Sequence, residues 1–316
     1  MTVDFMRKKV AILGAGKVGA TTAQRLAYTE SCDILLWDRT EGVAKGIALD
    51  IKESSPLDGF DSEVEGTSDI KEIKKSEIII MTAGAPRKEG QSRDDLLKTN
   101  AAIVKDLSVQ IKRYSPDSKL IVLTNPLDAM VYLAKQTTGF PRERIMGMAG
   151  ILDSARFRTF ISDALKVSVS SVNGMVLGGH GDFMVPLPKH SSVNGIPITD
   201  LLTGDEIKKI VQRTRDGGAE IINLEKKSSA YYAPASSLAL MAESILKDKK
   251  MVLPCAAYLN GEYGIKGIFM GVPVIIGEKG VEKIIELDLT KQESQQLKES
   301  SAKIHELIKQ FDRIYK

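Results

Sequence analysis

The chain has 316 residues, 43% hydrophobic and 27% charged, and its 44 basic side chains against 41 acidic ones leave a net charge of +3. That length suggests two domains, since single cores stop growing at about 250–300 residues, and so small a charge excess argues against nucleic acid or an acidic membrane surface as a partner. Aromatic residues make up 5% of the chain and the Lys and Arg residues are scattered, so no basic stripe with stacking rings is present.

Met1 to Lys9 holds no long apolar stretch of the kind found in a leader, and no later run approaches the roughly 18 apolar residues of a membrane span. A soluble, cytoplasmic protein is expected. The first element is Val10-Ala11-Ile12-Leu13, a short continuous apolar run of the form taken by a strand buried on both faces. Gly14-Ala15-Gly16-Lys17-Val18-Gly19 follows directly, and Ala20, Ala23, Leu26 and Ala27 then recur with helical spacing. Between a strand and a helix, these glycines read as a dinucleotide cradle. The first permits the bend, the second lets the backbone approach a pyrophosphate, and the third lets the helix pack on the strand. The helix N-terminus faces the phosphates.

The second strand, Asp33 to Trp37, ends in Asp38. An acid at that point, about 20 residues past the glycines, accepts hydrogen bonds from the adenosine ribose and repels a 2′-phosphate. NAD is therefore expected over NADP, with Arg39 beside Asp38 the one feature that blurs the preference. The alternation continues with a strand at Ile78 to Thr82, closed by Ala83-Gly84-Ala85-Pro86, and a helix from Ala101 to Tyr114. A further strand, Lys119 to Leu123, stops at Thr124-Asn125-Pro126. Such alternation predicts a Rossmann-type doubly wound parallel sheet with ligands at the carboxyl ends of its strands. Gly84 falls at one such end, and Leu123, Thr124 and Asn125 at another; the latter three are assigned to the cofactor. Between the third strand and its helix, Pro86 to Asp95 is a polar loop suited to closing over a substrate. Its Arg87 and Arg93 can both form forks with carboxylates.

In the second half, Gly150 to Arg158 opens a helix running to about Lys166, with Asp153 and Arg156 three apart on one side. They read either as a surface ion pair or as separate tools: Asp153 to orient an imidazole, Arg156 to grip a substrate carboxylate. Val172 to Leu177 reads as one buried strand leading to Gly178-Gly179-His180-Gly181-Asp182. A histidine at a strand end, flanked by glycines, is placed to exchange a proton with a closely approaching ligand. Of the other two histidines, His190 precedes an Asn194-Gly195 hairpin turn. His305 lies in a final helix with a Thr290/Glu293 capping box and a core stripe of Leu297, Ile304, Leu307, Ile308 and Phe311, and is expected to face solvent. Cys32 and Cys255 lie far apart, match no metal spacing, and read as reduced and buried; no metal is expected. The natural division is a dinucleotide-binding domain at 1–147 and an α+β substrate and catalytic domain at 148–316.

Taken in order, Gly14 to Gly19, Asp38, Thr82 to Lys88, Ser92-Arg93, Asn100, Thr124-Asn125-Pro126, Asp153 to Arg156 and Gly179-His180-Gly181-Asp182 resemble the lactate/malate dehydrogenase family over essentially the whole chain. Within it they are most similar to the lactate-dehydrogenase-like members that act on malate. The resemblance implies reversible oxidation of (S)-malate to oxaloacetate with NAD. His180 would be the proton acceptor and donor, Asp153 its partner, and Arg93 the group that polarises the reacting carbonyl. Arg156 would bind the C1 carboxylate, Asn125 would contact substrate and cofactor, and Asn100 would lie against the cofactor. Arg87 occupies the loop position that is usually neutral in members acting on lactate and arginine in those acting on malate. Members are usually tetramers and sometimes dimers. Glu89, where many malate enzymes have proline, and Arg39 depart from the pattern. Three alternatives remain at this point: a lactate or general 2-hydroxy acid dehydrogenase, a catalytically silent NAD-binding module, and an NAD-using sugar hydrolase. The last needs a metal, for which no cysteine or histidine cluster is seen.

Overall fold

Strands buried on both faces and joined by amphipathic helices build the first half. The computed structural model describes residues 7–85, 93–226 and 229–315, and of residues 93, 94, 314 and 315 the main chain only. In chain order the elements are β1 (Lys8–Leu13), α1 (Lys17–Ala27), β2 (Cys32–Trp37), α2 (Val43–Asp58), β3 (Val64–Thr67), β4 (Ile78–Met81), α3 (Arg93–Tyr114), β5 (Lys119–Val122), α4 (Leu127–Thr138) and β6 (Ile145–Gly147). The six strands are parallel, in the order β3-β2-β1-β4-β5-β6. Successive residues of a strand face opposite sides. Val10 and Ile12 therefore pack with Ala23 and Leu26 of α1, whereas Ala11 and Leu13 pack with Ala101 and Val104 of α3 and Met130 of α4. Helices cover both faces, and the sheet is doubly wound, as the alternation predicted.

One boundary differs. The helix expected from Ala101 begins at Arg93, because its opening turns are polar. Asp95, Lys98 and Thr99 are exposed while Leu97 and Asn100 turn inward, so the apolar period is faint there although acidic residues suit a helix N-terminus. Arg93 thus belongs to the first turn of α3, not to the preceding loop.

The second half mixes helices with antiparallel strands, the α+β arrangement expected of it. It comprises α5 (Gly150–Leu165), β7 (Val172–Asn173), β8 (Val176–Gly178), β9 (Met184–Pro186), β10 (Ser192–Val193), β11 (Ile196–Pro197), the single turn α6 (Ile198–Leu201), α7 (Gly204–Glu225), α8 (Tyr232–Leu246), β12 (Met251–Asn260), β13 (Lys266–Gly277), β14 (Gly280–Ile284) and α9 (Lys291–Tyr315). The large sheet continues beyond β6 through β12-β13-β8-β9, with β14 on β13, while β11-β10-β7 form a small separate sheet. The run Val172 to Leu177 is therefore two strands in two sheets. At Gly174 a Cβ would stand 3.0 Å from Arg158 Cγ, and the Met175 N–H donates to Ser191 Oγ at 3.3 Å instead of to a strand neighbour.

Asn194 and Gly195 have φ of 47° and 86° and join β10 to β11 as a hairpin. The Thr290 N–H donates to the Glu293 carboxylate at 2.8 Å, and the Glu293 N–H to Thr290 Oγ1 at 3.2 Å, capping α9. His305 is half-buried. Cys32 and Cys255 are free and buried, and burial pushes each thiol up to about 12. Among the described residues no helix is long and apolar enough to cross a membrane.

Candidate active site

The sheet places its ligand crevice where β1 and β4 lie side by side and their connections diverge to opposite faces. The Leu13 carbonyl accepts the N–H groups of Thr82 (2.9 Å) and Ala83 (2.7 Å), and the Thr82 hydroxyl donates to the Gly14 carbonyl at 3.0 Å. Gly14 has φ +113°, and a Cβ on it would lie 2.7 Å from Ala83 N, so only glycine fits. A Cβ on Gly19 would meet the Gly14 carbonyl oxygen. Gly16 is different: among the described residues nothing lies within 4 Å of the position its Cβ would take, and none of their side chains caps α1. Open space beside the first N–H groups of a helix suits a pyrophosphate.

The Asp38 carboxylate accepts the Ala15 N–H on Oδ2 at 3.0 Å and the Thr40 N–H on Oδ1 at 2.9 Å. It is thus fixed at the end of β2 beside the glycine turn. Lys17 opens α1 with its ammonium 5.1 Å from the centre of the Tyr231 ring, and Val18 packs on the core. At the next strand ends, the Leu123 N–H donates to the Met81 carbonyl at 2.9 Å, and the Thr124 hydroxyl to the Ala83 carbonyl at 2.7 Å. Asn100 is buried. Its Nδ2 donates to the carbonyls of Asn125 (2.7 Å) and Ala85 (3.3 Å), and its Oδ1 accepts the Ala85 N–H at 2.7 Å. Its amide brackets the chain after β4 to the chain after β5 and leaves the exposed Asn125 side chain at the mouth of the crevice. These residues fit a dinucleotide.

The candidate proton-handling groups come from α5 and the end of β8. Ser154 Oγ accepts the Val176 N–H at 3.0 Å, which fixes the helix against the strand that carries the histidine turn. Asp153 Oδ2 lies 3.0 Å from His180 Nδ1, and Asp153 Oδ1 accepts from Arg156 Nη1 at 3.3 Å; the Asp153 side chain is 2% exposed. A carboxylate only accepts, so Nδ1 carries the proton and Nε2 is left as the basic nitrogen of the neutral ring. Burial lowers the pKa of His180. The charge and hydrogen bond of Asp153, followed by the charge of Asp128, outweigh that burial and hold it above its ordinary value, against Arg156. Of the two sequence readings of Asp153 and Arg156, the ion pair exists, but it is buried rather than on the surface, and its carboxylate is shared with the histidine.

Burial lowers Arg156, with Asp153 opposing. A Cβ on Gly217 would stand 3.2 Å from Arg156 Cδ, and one on Gly218 3.7 Å from Nη2. Two glycines inside α7 cost about 1 kcal/mol each relative to alanine, and in return give the guanidinium a close-lying floor. Arg87 lies outside the described residues, as does the side chain of Arg93.

Sequence reasoning missed four contributors: the Gly217-Gly218 floor, Tyr231, Asp128 and Ser300. Asp128 Oδ2 accepts the main-chain N–H of His180 at 3.1 Å, and Ser300 Oγ accepts that of Gly179 at 2.8 Å. A lone carboxylate within Leu127-Asp128-Ala129-Met130-Val131, all buried, was a signal that could have revealed Asp128. Ser300 sits in an ordinary polar run and offered none.

Models of two domains match this chain: lactate/malate dehydrogenase, NAD binding domain, over residues 8–147, and lactate/malate dehydrogenase, alpha/beta C-terminal domain, over residues 151–314. The malate dehydrogenase of Bacillus subtilis (strain 168) is 51% identical over 305 residues, 96% of this chain and 98% of that protein. Among solved structures, the apo malate dehydrogenase from Picrophilus torridus superposes with a TM-score of 0.95 at 46% identity, covering 98% of each chain. The lactate dehydrogenase from Cryptosporidium parvum, complexed with lactic acid and nicotinamide adenine dinucleotide, superposes with a TM-score of 0.94 at 42% identity over 97% of this chain and 98% of that one. Agreement of this kind through both halves, around a cradle and a histidine cluster found independently, leads to one conclusion: the chain belongs to the lactate/malate dehydrogenase family.

Proposed function

We propose that the protein is an NAD-dependent malate dehydrogenase whose proton carrier is His180. The observation that carries the histidine's role is the bond from Nδ1 to the buried Asp153, which turns the basic Nε2 to a ligand and stabilises the ring once it is protonated. Bound NAD supplies the acceptor for the hydride that leaves malate C2. His180 takes the C2 hydroxyl proton as that carbon becomes a ketone, and returns it to oxaloacetate in reverse. Arg156, on its glycine floor, binds the C1 carboxylate through a charge-assisted fork. Arg93, at the first turn of α3, stabilises charge developing on the C2 oxygen, and Asn125 at the crevice mouth contacts both substrate and cofactor.

On the cofactor side, the Gly14-Ala15-Gly16-Lys17-Val18-Gly19 turn holds the pyrophosphate and Asp38 the ribose. Leu123 and Thr124 line the crevice, and Asn100 acts by holding Ala85 and Asn125. The division into a cofactor domain at 1–147 and a catalytic domain at 148–316 belongs to the same reading. So do a cytoplasmic location, a place in the tricarboxylic acid cycle, and a homotetramer, with a dimer as the alternative.

Malate and lactate members share this fold, so the choice between them rests on Arg87. A two-bond fork to the distal carboxylate discriminates by about 10²–10⁴-fold, and pyruvate would set that arginine against a methyl group. Initial-rate oxidation of NADH with oxaloacetate and with pyruvate, repeated with NADPH, tests the reading. Strong preference for oxaloacetate and NADH is the expected result, and Arg87→Gln moves preference toward pyruvate. A parent enzyme that prefers pyruvate would make it a lactate-type dehydrogenase with the same His180 chemistry.

A further inference from the structure

His180 is held at two points. Its ring is bonded to Asp153 on α5, and its main-chain N–H to Asp128 on α4. Asp128 is buried, and its second oxygen, Oδ1, has no hydrogen-bond partner among the described residues. An unmatched buried carboxylate oxygen disfavours the fold, so packing alone does not account for an acid here. A Cβ on Gly179 would lie 3.3 Å from Asp128 Oδ2 and 3.2 Å from Ile304 Cδ1, so the turn is pressed between α4 and α9. The chain enters α4 from Asn125-Pro126, and one helix start therefore carries Asn125 to the crevice mouth and Asp128 to the histidine.

We propose that Asp128 is a positioning residue for the proton carrier: its carboxylate anchors the main chain of His180 to the helix that follows Asn125, and its charge acts on the imidazole together with that of Asp153. This rests on His180 carrying the proton, as proposed above. Among the described residues, the charged and titratable groups that act on His180 are Asp153 and Arg156 from α5 and Asp128 from α4, while α9 contributes the uncharged Ser300 and Ile304. Asp128 in turn is raised to about 7, first by burial, with the charge and N–H of His180 opposing and Asp153 reinforcing. The acid and the histidine therefore titrate as a linked pair.

The test is the pH dependence of malate oxidation for the parent and for D128N, D128A and H180N. D128A removes the anchor, and kcat at the plateau falls about 10- to 100-fold, as for a misplaced reacting group, while the KM for NAD stays within about threefold. D128N keeps an acceptor oxygen for the His180 N–H and restores most of that kcat. Having lost a negative charge near the imidazole, it moves the acidic limb of kcat/KM to lower pH by roughly half a unit to one unit. The proposal is overturned if D128A keeps the parent plateau, if D128N is as impaired as D128A, or if the D128N limb superimposes on the parent's. Should D128A not fold, the limb of D128N decides alone. H180N separates the two levels. Full activity in H180N removes the histidine reading itself, whereas an inactive H180N beside parent-like Asp128 variants removes only the anchor.

Discussion

Two glycine-bearing turns close buried strands in this protein, and they are held in opposite ways. The turn after β1 is fixed from the ends of the strands beside it: the Leu13 carbonyl accepts the Thr82 and Ala83 N–H groups, the Thr82 hydroxyl donates to the Gly14 carbonyl, and the Asp38 carboxylate accepts the Ala15 N–H. The turn after β8 is fixed by side chains from three separate helices, Asp153, Asp128 and Ser300. The first leaves room for a ligand to approach main-chain N–H groups. The second keeps one side chain still. A turn that works through its backbone states its requirement in consecutive residues, whereas a turn that presents a side chain depends on supports scattered through the chain.

That contrast breaks most visibly at its two ends. H180N is expected to lower malate oxidation by about 10²–10⁴-fold, the usual contribution of a positioned acid–base group, with NADH affinity by fluorescence titration nearly unchanged. A parallel loss of NADH affinity would mean that the second turn also builds the cofactor site. G14A should do the reverse. Its Cβ would overlap Ala83 at a backbone conformation that L residues rarely adopt, so stability falls by about 2–4 kcal/mol and NADH binding weakens. Thermal unfolding and NADH titration check both, and parent-like values would show that the first turn tolerates a side chain.

A smaller effect sharpens the role of the buried acid. Asp128 is raised from 3.8 to about 7, so between those values the folded protein binds a proton that the unfolded chain has released. The stability this contributes is complete below about pH 4 and is lost as pH rises to about 7. Asparagine has no such dependence. D128N should therefore gain on the parent between pH 5 and pH 8, by at most about 3 kcal/mol, which thermal unfolding at the two pH values would reveal; a pH-independent difference would show that the carboxyl is not raised. S300A is the mildest test. It removes the acceptor for the Gly179 N–H and should cost about 1–3 kcal/mol, the range for a buried donor left unpaired, with kcat reduced only a few-fold because Asp128 still holds His180.

Particular residues show why some elements were legible and others were not. The strand-turn-helix from Val10 to Ala27 and the acid at Asp38 could be read because each requirement is local: an apolar run, three glycines, a helical period. The start of α3 was missed because Asp95, Lys98 and Thr99 mask the inward face carried by Leu97 and Asn100. Val172 to Leu177 was read as one strand because an apolar run looks the same whether one sheet or two will take it. The partnership of Asp128 and His180 spans 52 positions, and no periodic pattern records a bond of that kind.

The order of residues by itself determined the parallel cofactor half, the glycine cradle and the kinds of side chain the chemistry would use. All of these follow from neighbours within a turn or a strand. Only the tertiary structure decided that Asp153 serves His180 and Arg156 at once, that glycines of α7 lie under the arginine, and that α4 and α9 grip the histidine turn. Those contacts arise where the continuous sheet and its covering helices bring distant segments together. Amphipathic patterning specifies that a face is buried, but not which side chain it will meet.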